Sequence, residues 1–157
     1  MNIMLIDDNK IDLFVNQKII ERLSTGCDIR AFTSANSAIN FLKILEDEGA
    51  YPTMFVPDVI LLDINMPEMD GFQFLEEFEE LNKIDKKSIR IYMLSSSTSP
   101  QDVEKIEASN SCIGLIAKPL KIYNVEELLE EFRPYLKRFD AEAEDVSLVG
   151  FKQSIEV

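Results

Sequence analysis

The stretch PDVILLDINMPEMDGF, residues 57–72, decides the fold of this chain. Its apolar run from Val59 to Leu62 has no polar alternation, which predicts a central parallel strand covered on both faces. That strand ends in a carboxylate, Asp63, and the turn that follows carries Asn65 and Gly71. An acid at the mouth of a covered strand is either a cap or turn residue or a functional group. The residues at the ends of the other predicted strands are needed to choose between these alternatives.

Four other apolar runs alternate with amphipathic segments along the chain, and the second run alternates like an edge strand. A predicted helix follows each strand; the last covers residues 123–139, where Pro134 should kink or shorten it. Strands that alternate with helices predict an α/β fold: a parallel sheet with helices on both faces and right-handed connections. The five predicted strands are residues 2–7, 27–33, 58–63, 89–95 and 112–118.

The predicted helices carry capping residues and apolar stripes. Asn9 is placed to cap the first helix and Ser34 the second, and Asp70 with Gly71 opens the third. Ser99 followed by Pro100 gives the fourth helix a cap and a proline at its first position. The stripe predicted to be buried on the first helix consists of Ile11, Phe14, Val15, Ile19 and Leu23.

The composition of the chain excludes several classes of function. The chain has 157 residues, which suits one domain, and a net charge of −13, which argues against direct binding to nucleic acid or an anionic membrane. Its two cysteines are far apart, and without a signal peptide they predict a cytoplasmic protein with reduced thiols. No apolar run approaches the roughly 20 residues of a membrane span. The absence of histidine excludes imidazole metal sites and nucleophile–histidine pairs.

Polar residues stand at the ends of four predicted strands: Asp7 and Asp8, Asp63, Ser95 and Lys118. Each alone could be a cap, a turn residue or a strand end, but parallel strands place all of them on one rim of the sheet. Two carboxylates about 4 Å apart repel by about 4 kcal/mol at an effective dielectric constant of about 20. Protonation or a divalent cation would relieve this repulsion, and oxygen ligands with room for water suit Mg²⁺. A lysine and a hydroxyl suit the oxygens of a transferring phosphoryl group, and a carboxylate can be its acceptor.

Four motifs, LIDDN, VILLDINMPEMDGF, IYMLSSS and LIAKPL, identify the chain as resembling the response-regulator receiver domains of two-component signalling. The likeness extends from Met1 to about Phe139 and is closest to the stand-alone, chemotaxis-regulator type. It implies a flavodoxin-like, doubly wound sheet of five parallel strands in the order 2-1-3-4-5 with five helices. Residues 1–139 would then be the receiver domain and residues 140–157 an acidic tail, loosely ordered or partner-binding.

The resemblance also implies roles for individual residues. Asp63 matches the phosphoacceptor, and Ser95 and Lys118 match the residues that contact the phosphoryl group. Asn65 and Ser97 occupy positions that tune dephosphorylation, Gly71 matches the glycine of the turn, and the peptide between Lys118 and Pro119 is usually cis. The implied Mg²⁺ ligands are Asp7, Asp8, Asp63 and Asn65, the last through its backbone carbonyl.

One position departs from the family pattern. Leu115 stands three residues before the lysine, where the family usually has a tyrosine or phenylalanine that rotates together with the hydroxyl residue. Leu115 is either a packing residue of the fifth strand or a sign of a different switching mechanism. Tyr92 and Tyr123 are aromatic but stand elsewhere.

The resulting prediction is a response regulator that accepts a phosphoryl group from a histidine kinase or phosphotransfer protein. It would catalyse only its own phosphorylation and dephosphorylation, and it would signal by contact with a downstream protein or by phosphorelay. A homodimer is left open. Two alternatives are a non-phosphorylated interaction module with the same fold, which Leu115 favours, and a Mg²⁺-dependent phosphatase. The phosphatase is disfavoured because such enzymes carry D-x-D-x-T on the first strand, whereas this chain has IDDNK.

Overall fold

The computed structural model describes residues 1–24, 26–48, 55–97 and 99–132, with the side chain of Glu48 excepted. Within them the chain alternates strands and helices, as the sequence predicts. The strands are β1 (Asn2–Ile6), β2 (Asp28–Phe32), β3 (Val59–Asp63), β4 (Arg90–Ser95) and β5 (Cys112–Ala117). The helices are α1 (Lys10–Leu23), α2 (Ala35–Glu48), α3 (Gly71–Glu79), α4 (Pro100–Ala108) and α5 (residues 122–132), with a 3₁₀ turn at Lys86–Ser88.

The five strands form one parallel sheet in the order β2-β1-β3-β4-β5. This is the flavodoxin-like, doubly wound topology that the sequence and the resemblance predict. β3 lies at the centre, and all five of its residues are buried, whereas β2 is an edge strand with exposed positions. The order reverses between β1 and β3, and their carboxyl ends therefore flank the crevice where sites form in such sheets.

A separate hydrophobic cluster covers each face of the sheet. Ile60 and Leu62 of β3 pack in the cluster that α2, α3 and α4 cover, while Val59 and Leu61 face the cluster under α1 and α5. This division confirms that β3 is covered on both faces. Among the described residues, none of the helices has both the length and the apolar character needed to cross a membrane.

The helix caps follow the predicted pattern. The Asn9 side chain accepts from the backbone N–H groups of Ile11 and Asp12, and Ser99 caps α4 with Pro100 at its first position. Asp70 and Gln73 form a reciprocal capping box at the start of α3, which satisfies two backbone donors that the helix leaves unpaired.

The predicted buried stripe of α1 is wrong in part. Ile11, Phe14 and Val15 are 72%, 62% and 42% exposed, and the buried residues of the helix are Leu13, Asn16 and Ile20. Ile19 and Leu23 are only partly buried against the core. The segment contains two apolar stripes at helical spacing, and the stripe that faces the sheet depends on how the helix lies across β1.

Several predictions fall outside the described residues. They concern the effect of Pro134 on the last helix and the tail at residues 140–157. The boundary between domain and tail therefore stays a prediction.

Candidate functional site

Three carboxylates meet at the carboxyl ends of β1 and β3. Asp7 and Asp8 follow β1, and Asp63 is the last residue of the adjacent strand β3. One carboxylate oxygen of each lies within 4.8 Å of the other two. Asp7 and Asp63 are only 1% and 5% exposed, whereas Asp8 is exposed. The chain therefore buries two acids and leaves the third open to solvent.

Lys118 compensates the two buried acids. It follows β5, and its ammonium nitrogen lies 2.7 Å from Asp7 Oδ2 and 3.1 Å from Asp63 Oδ1. The peptide between Lys118 and Pro119 is cis, as the resemblance implies. A third carboxylate, Asp12 Oδ2, lies 3.3 Å from the same nitrogen. Three carboxylates thus contact the one ammonium group.

Burial and neighbouring charges shift the pKa values of Asp63 and Lys118. Burial raises the pKa of Asp63, the hydrogen bond and charge of Lys118 lower it, and the neighbouring charge of Asp7 raises it; the net shift is upward. Burial alone would lower the pKa of Lys118, but its hydrogen bonds to Asp7 and Asp63 outweigh burial and raise it. Lys118 therefore stays a cation at neutral pH beside a carboxylate that is short of solvent.

Ser95 ends β4, next to Asp63 in the sheet, but its hydroxyl is engaged elsewhere. It accepts from the backbone N–H of Ser97 at 3.1 Å and donates to the carbonyl of Ser97. The Ser95 carbonyl accepts from the backbone N–H of Lys118 at 2.8 Å. Ser95 is therefore at the rim, held by the β4–α4 connection, while Asn65 and Ser97 are both exposed around it.

The turn after β3 approaches the strand end closely at Gly71. The Gly71 N–H donates to the carbonyl of Ile64 at 2.8 Å. A Cβ at this position would lie 2.8 Å from the Asp63 carbonyl oxygen and 3.0 Å from Ile64 Cα. Only glycine fits without moving the backbone that carries Asp63.

Leu115 lies within β5, away from the three acids. Its Cα pairs with that of Met93 on β4, and its partly buried side chain packs against the cluster under α2, α3 and α4. Tyr92 packs on the opposite face and donates from its hydroxyl to Glu131 at 2.9 Å, while Tyr123 is exposed. Neither tyrosine therefore supplies an aromatic ring at the position of Leu115.

The donor set suits a divalent cation that prefers oxygen ligands. Asp7, Asp8 and Asp63 offer three carboxylate oxygens close together, and the exposure of Asp8 leaves room for water ligands. Three acids against the one ammonium of Lys118 also leave an excess of negative charge that a cation would balance.

Two features were missed by the sequence-based reasoning. Asp12 contacts Lys118, and Ile11, Phe14 and Val15 form an exposed apolar surface on α1, here named the α1 patch. The position of Asp12 in the first turn after the acidic pair could have placed it at this rim. The α1 patch could not be recognised because the same residues fit a buried helical stripe.

Comparison with known proteins finds a matching family and solved structures of the same fold. The family model described as response regulator receiver domain matches residues 3–131. A response regulator receiver protein from Dyadobacter fermentans is 36% identical with a TM-score of 0.69; the match covers 84% of this chain and 97% of that one. A two component response regulator from Cytophaga hutchinsonii is 34% identical with a TM-score of 0.71, covering 83% and 94%.

A sequence relative adds a eukaryotic example. The two-component response regulator ORR1 of Oryza sativa subsp. japonica is 30% identical over 130 residues, which are 80% of this chain and 52% of that protein. This chain thus spans about half the length of ORR1. Receiver domains are signalling modules that interact with histidine kinases and phosphotransfer proteins and typically bind a divalent metal at an acidic pocket. With the family match over most of its length and the same fold, this chain belongs to the response regulator receiver domain family.

Proposed function

We propose that this chain is a single-domain response regulator that accepts a phosphoryl group on Asp63. The observation that carries the proposal is the contact of Lys118 with both Asp63 and Asp7 at the acidic rim. The donor would be a histidine kinase or a histidine phosphotransfer protein. We assign residues 1–139 to the receiver domain and residues 140–157 to a tail. The family match to residues 3–131 supports the first of these two assignments.

The proposed reaction uses Asp63 as the nucleophile. A carboxylate oxygen of Asp63 attacks phosphorus, the bond from phosphorus to the donor nitrogen breaks, and Asp63 becomes an acyl phosphate. Lys118 stands where its ammonium can pair with an oxygen of the transferred group. The Ser95 hydroxyl would have to leave Ser97 to reach the same group, which gives the β4–α4 connection two alternative states.

The proposed cofactor is Mg²⁺. Asp7, Asp8 and Asp63 would hold it through side-chain oxygens and Asn65 through its backbone carbonyl. When bound, the cation supplies positive charge that offsets the phosphoryl oxygens. The protein supplies the cluster of three acids and the buried positions that fix two of them.

We place the donor protein on the α1 patch. Ile11, Phe14 and Val15 are exposed and apolar, and Asp12, between them in sequence, contacts Lys118. A partner that covers this patch would bury apolar surface next to the phosphoacceptor, which favours association.

The proposed output face combines α4, β5 and α5. Val103, Ile113, Ile122 and Tyr123 are exposed large apolar residues on or beside these elements. Phosphorylation would change this face through the β4–α4 connection, and a downstream protein would bind one of its two states. A homodimer formed through this face is a further proposal of the same kind.

The test is the intact mass of the protein after incubation with acetyl phosphate and Mg²⁺. We expect a gain of one phosphoryl group that disappears when Mg²⁺ is chelated and in the Asp63→Ala variant. Asp28→Ala is the matched control, because Asp28 is exposed at the amino end of β2, whereas Asp63 lies at the carboxyl ends of the strands, so this variant should keep the gain. An unmodified wild-type mass would refute the proposal and support the non-phosphorylated interaction module, which Leu115 favours.

A further inference from the structure

Lys118 has one carboxylate partner that lies outside the acidic cluster. Asp7 and Asp63 belong to the cluster of three acids that lie within 4.8 Å of one another, whereas Asp12 does not. The Asp12 side chain is 38% exposed and comes from the first turn of α1. A helix N-terminus stabilises negative charge, which suits a carboxylate at this position.

Asp12 also borders a space beside Lys118. A cavity of about 380 Å³ is lined by Asp12, Asn16, Ser96 and Lys118, among others. Lys118 in turn lies 3.1 Å from Asp63. A small molecule that approaches Lys118 through this cavity therefore meets the charge of Asp12.

The charges of the site balance without Asp12. A divalent cation and the ammonium of Lys118 together neutralise Asp7, Asp8 and Asp63. Among the described residues that contact Lys118, Asp12 then contributes the excess negative charge. An incoming phosphoryl donor is itself an anion and is repelled by Asp12, and solvent reduces this repulsion because Asp12 is 38% exposed.

We propose that Asp12 is a specificity-determining residue whose charge disfavours small phosphoryl donors of high negative charge. Such donors are held only by contacts with their phosphoryl group, so no other contact offsets their repulsion by Asp12. A donor protein that binds the α1 patch gains contacts elsewhere and tolerates the repulsion. Asp12 would thus reserve Asp63 for protein donors. This inference rests on the proposed function.

The reaction with acetyl phosphate defines the measurement. An Asp63 carboxylate oxygen bonds to phosphorus, the bond from phosphorus to the acetate oxygen breaks, and acetate leaves as an anion. Phosphoramidate reacts in the same way with loss of ammonia, and at neutral pH it carries one negative charge fewer than acetyl phosphate. Because the two donors are similar in size, a difference between their rates reports the effect of donor charge and not of how well the donor fits the site.

The variant Asp12→Asn keeps an oxygen that can accept from Lys118 and removes the charge. With acetyl phosphate and Mg²⁺, we expect its second-order rate constant, followed by intact mass, to rise about tenfold. With phosphoramidate the rise should be about threefold or less, and both ratios should shrink at high salt. Asp12→Glu keeps the charge and should stay near the wild-type rate, and Asp28→Asn controls for the change in net charge.

A second readout does not involve phosphorylation. Loss of a nearby negative charge should weaken Mg²⁺ binding to Asp12→Asn by about twofold to tenfold in calorimetry. An unchanged Mg²⁺ affinity, or a rate with acetyl phosphate no faster than that of the wild type, overturns the inference. A slower rate with both donors also overturns it, because Asp12 would then position Lys118 instead. If neither the wild type nor Asp12→Asn gains mass, the proposed function itself fails.

Discussion

At the scale of single residues, the site depends on a conflict between burial and charge at Asp63. Burial raises the pKa of Asp63, and Lys118 lowers it through a hydrogen bond and its charge. Burial leaves the carboxylate less solvated, while the ammonium of Lys118 favours its ionised form. The folded protein is therefore less stable with a charged Asp63 than it would be with a neutral side chain at the same position.

The Asp63→Asn variant measures how much the buried charge lowers the free energy of unfolding. Because the pKa of Asp63 is raised in the folded state, its contribution to stability is present below the ordinary carboxyl pKa of 3.8 and is lost as the pH rises through the folded-state pKa. We therefore expect Asp63→Asn to be more stable than the wild type at pH 7, by about 1 kcal/mol, the size typical of a single substitution. The difference should vanish in acid. Denaturant unfolding at a series of pH values checks this, and a difference independent of pH would contradict it.

At the scale of elements, the connection from β3 to α3 fixes the position of Asp63. Its backbone passes so close to the strand end that a Cβ on Gly71 would meet the Asp63 carbonyl oxygen at 2.8 Å. The capping box of Asp70 and Gln73 then starts the helix directly after this contact. The turn and the helix start therefore form one unit that holds Asp63 in place.

Gly71→Ala should be destabilising by about 1–3 kcal/mol, because an added methyl group in a packed site forces the backbone to shift. Gly114→Ala is the matched control: a Cβ on Gly114 would meet no atom within 4 Å, so its effect should stay within about 0.5 kcal/mol. Thermal or denaturant unfolding of both variants gives the comparison. Equal stabilities for the two would show that the close approach at Gly71 does not constrain the turn.

At the scale of the whole molecule, the site and the proposed output face lie on neighbouring strands. Ser95 and Lys118 are joined by a backbone hydrogen bond, which links the ends of β4 and β5. Leu115 packs against Met93 and the core, with no aromatic ring to rotate. A change at Asp63 would therefore reach α4 and α5 through the backbone of the β4–α4 connection, since the coupled rotation of a ring is not available.

Amide spectra test this route. Adding Mg²⁺ and beryllium fluoride, which mimics the phosphoryl group, should shift the amides of residues 103–122 together with those of Ser95 and Ser97. The amides of Asp28, Ile29 and Arg30 should stay in place, because these residues pair with the amino end of β1, away from the site. Shifts confined to the three acids and Lys118 would show that this chain binds the mimic without switching.

Local patterns in the sequence determined the fold class and the residues of the rim. The apolar run before Asp63 predicts a covered strand without knowledge of its neighbours, and β3 is buried throughout. The caps at Asn9, Asp70 and Ser99 depend on side chains and backbone groups two or three residues apart. Because such interactions are short in range, the sequence alone contains them. The parallel strand order follows from the alternation of strands and helices together with the family resemblance.

Only the tertiary structure decided which groups touch. α1 contains two apolar stripes, and the stripe that packs is chosen by the sheet beneath it, which leaves the α1 patch exposed. The contacts of Lys118 with Asp7 and Asp12 join residues 111 and 106 positions apart, and no local pattern contains such distances. The pairing of the Ser95 hydroxyl with Ser97 is local, but Ser95 lies beside the end of β3 only because β3 and β4 are neighbours. The residue types of the site are thus determined by the sequence, and their partners by how the strands assemble.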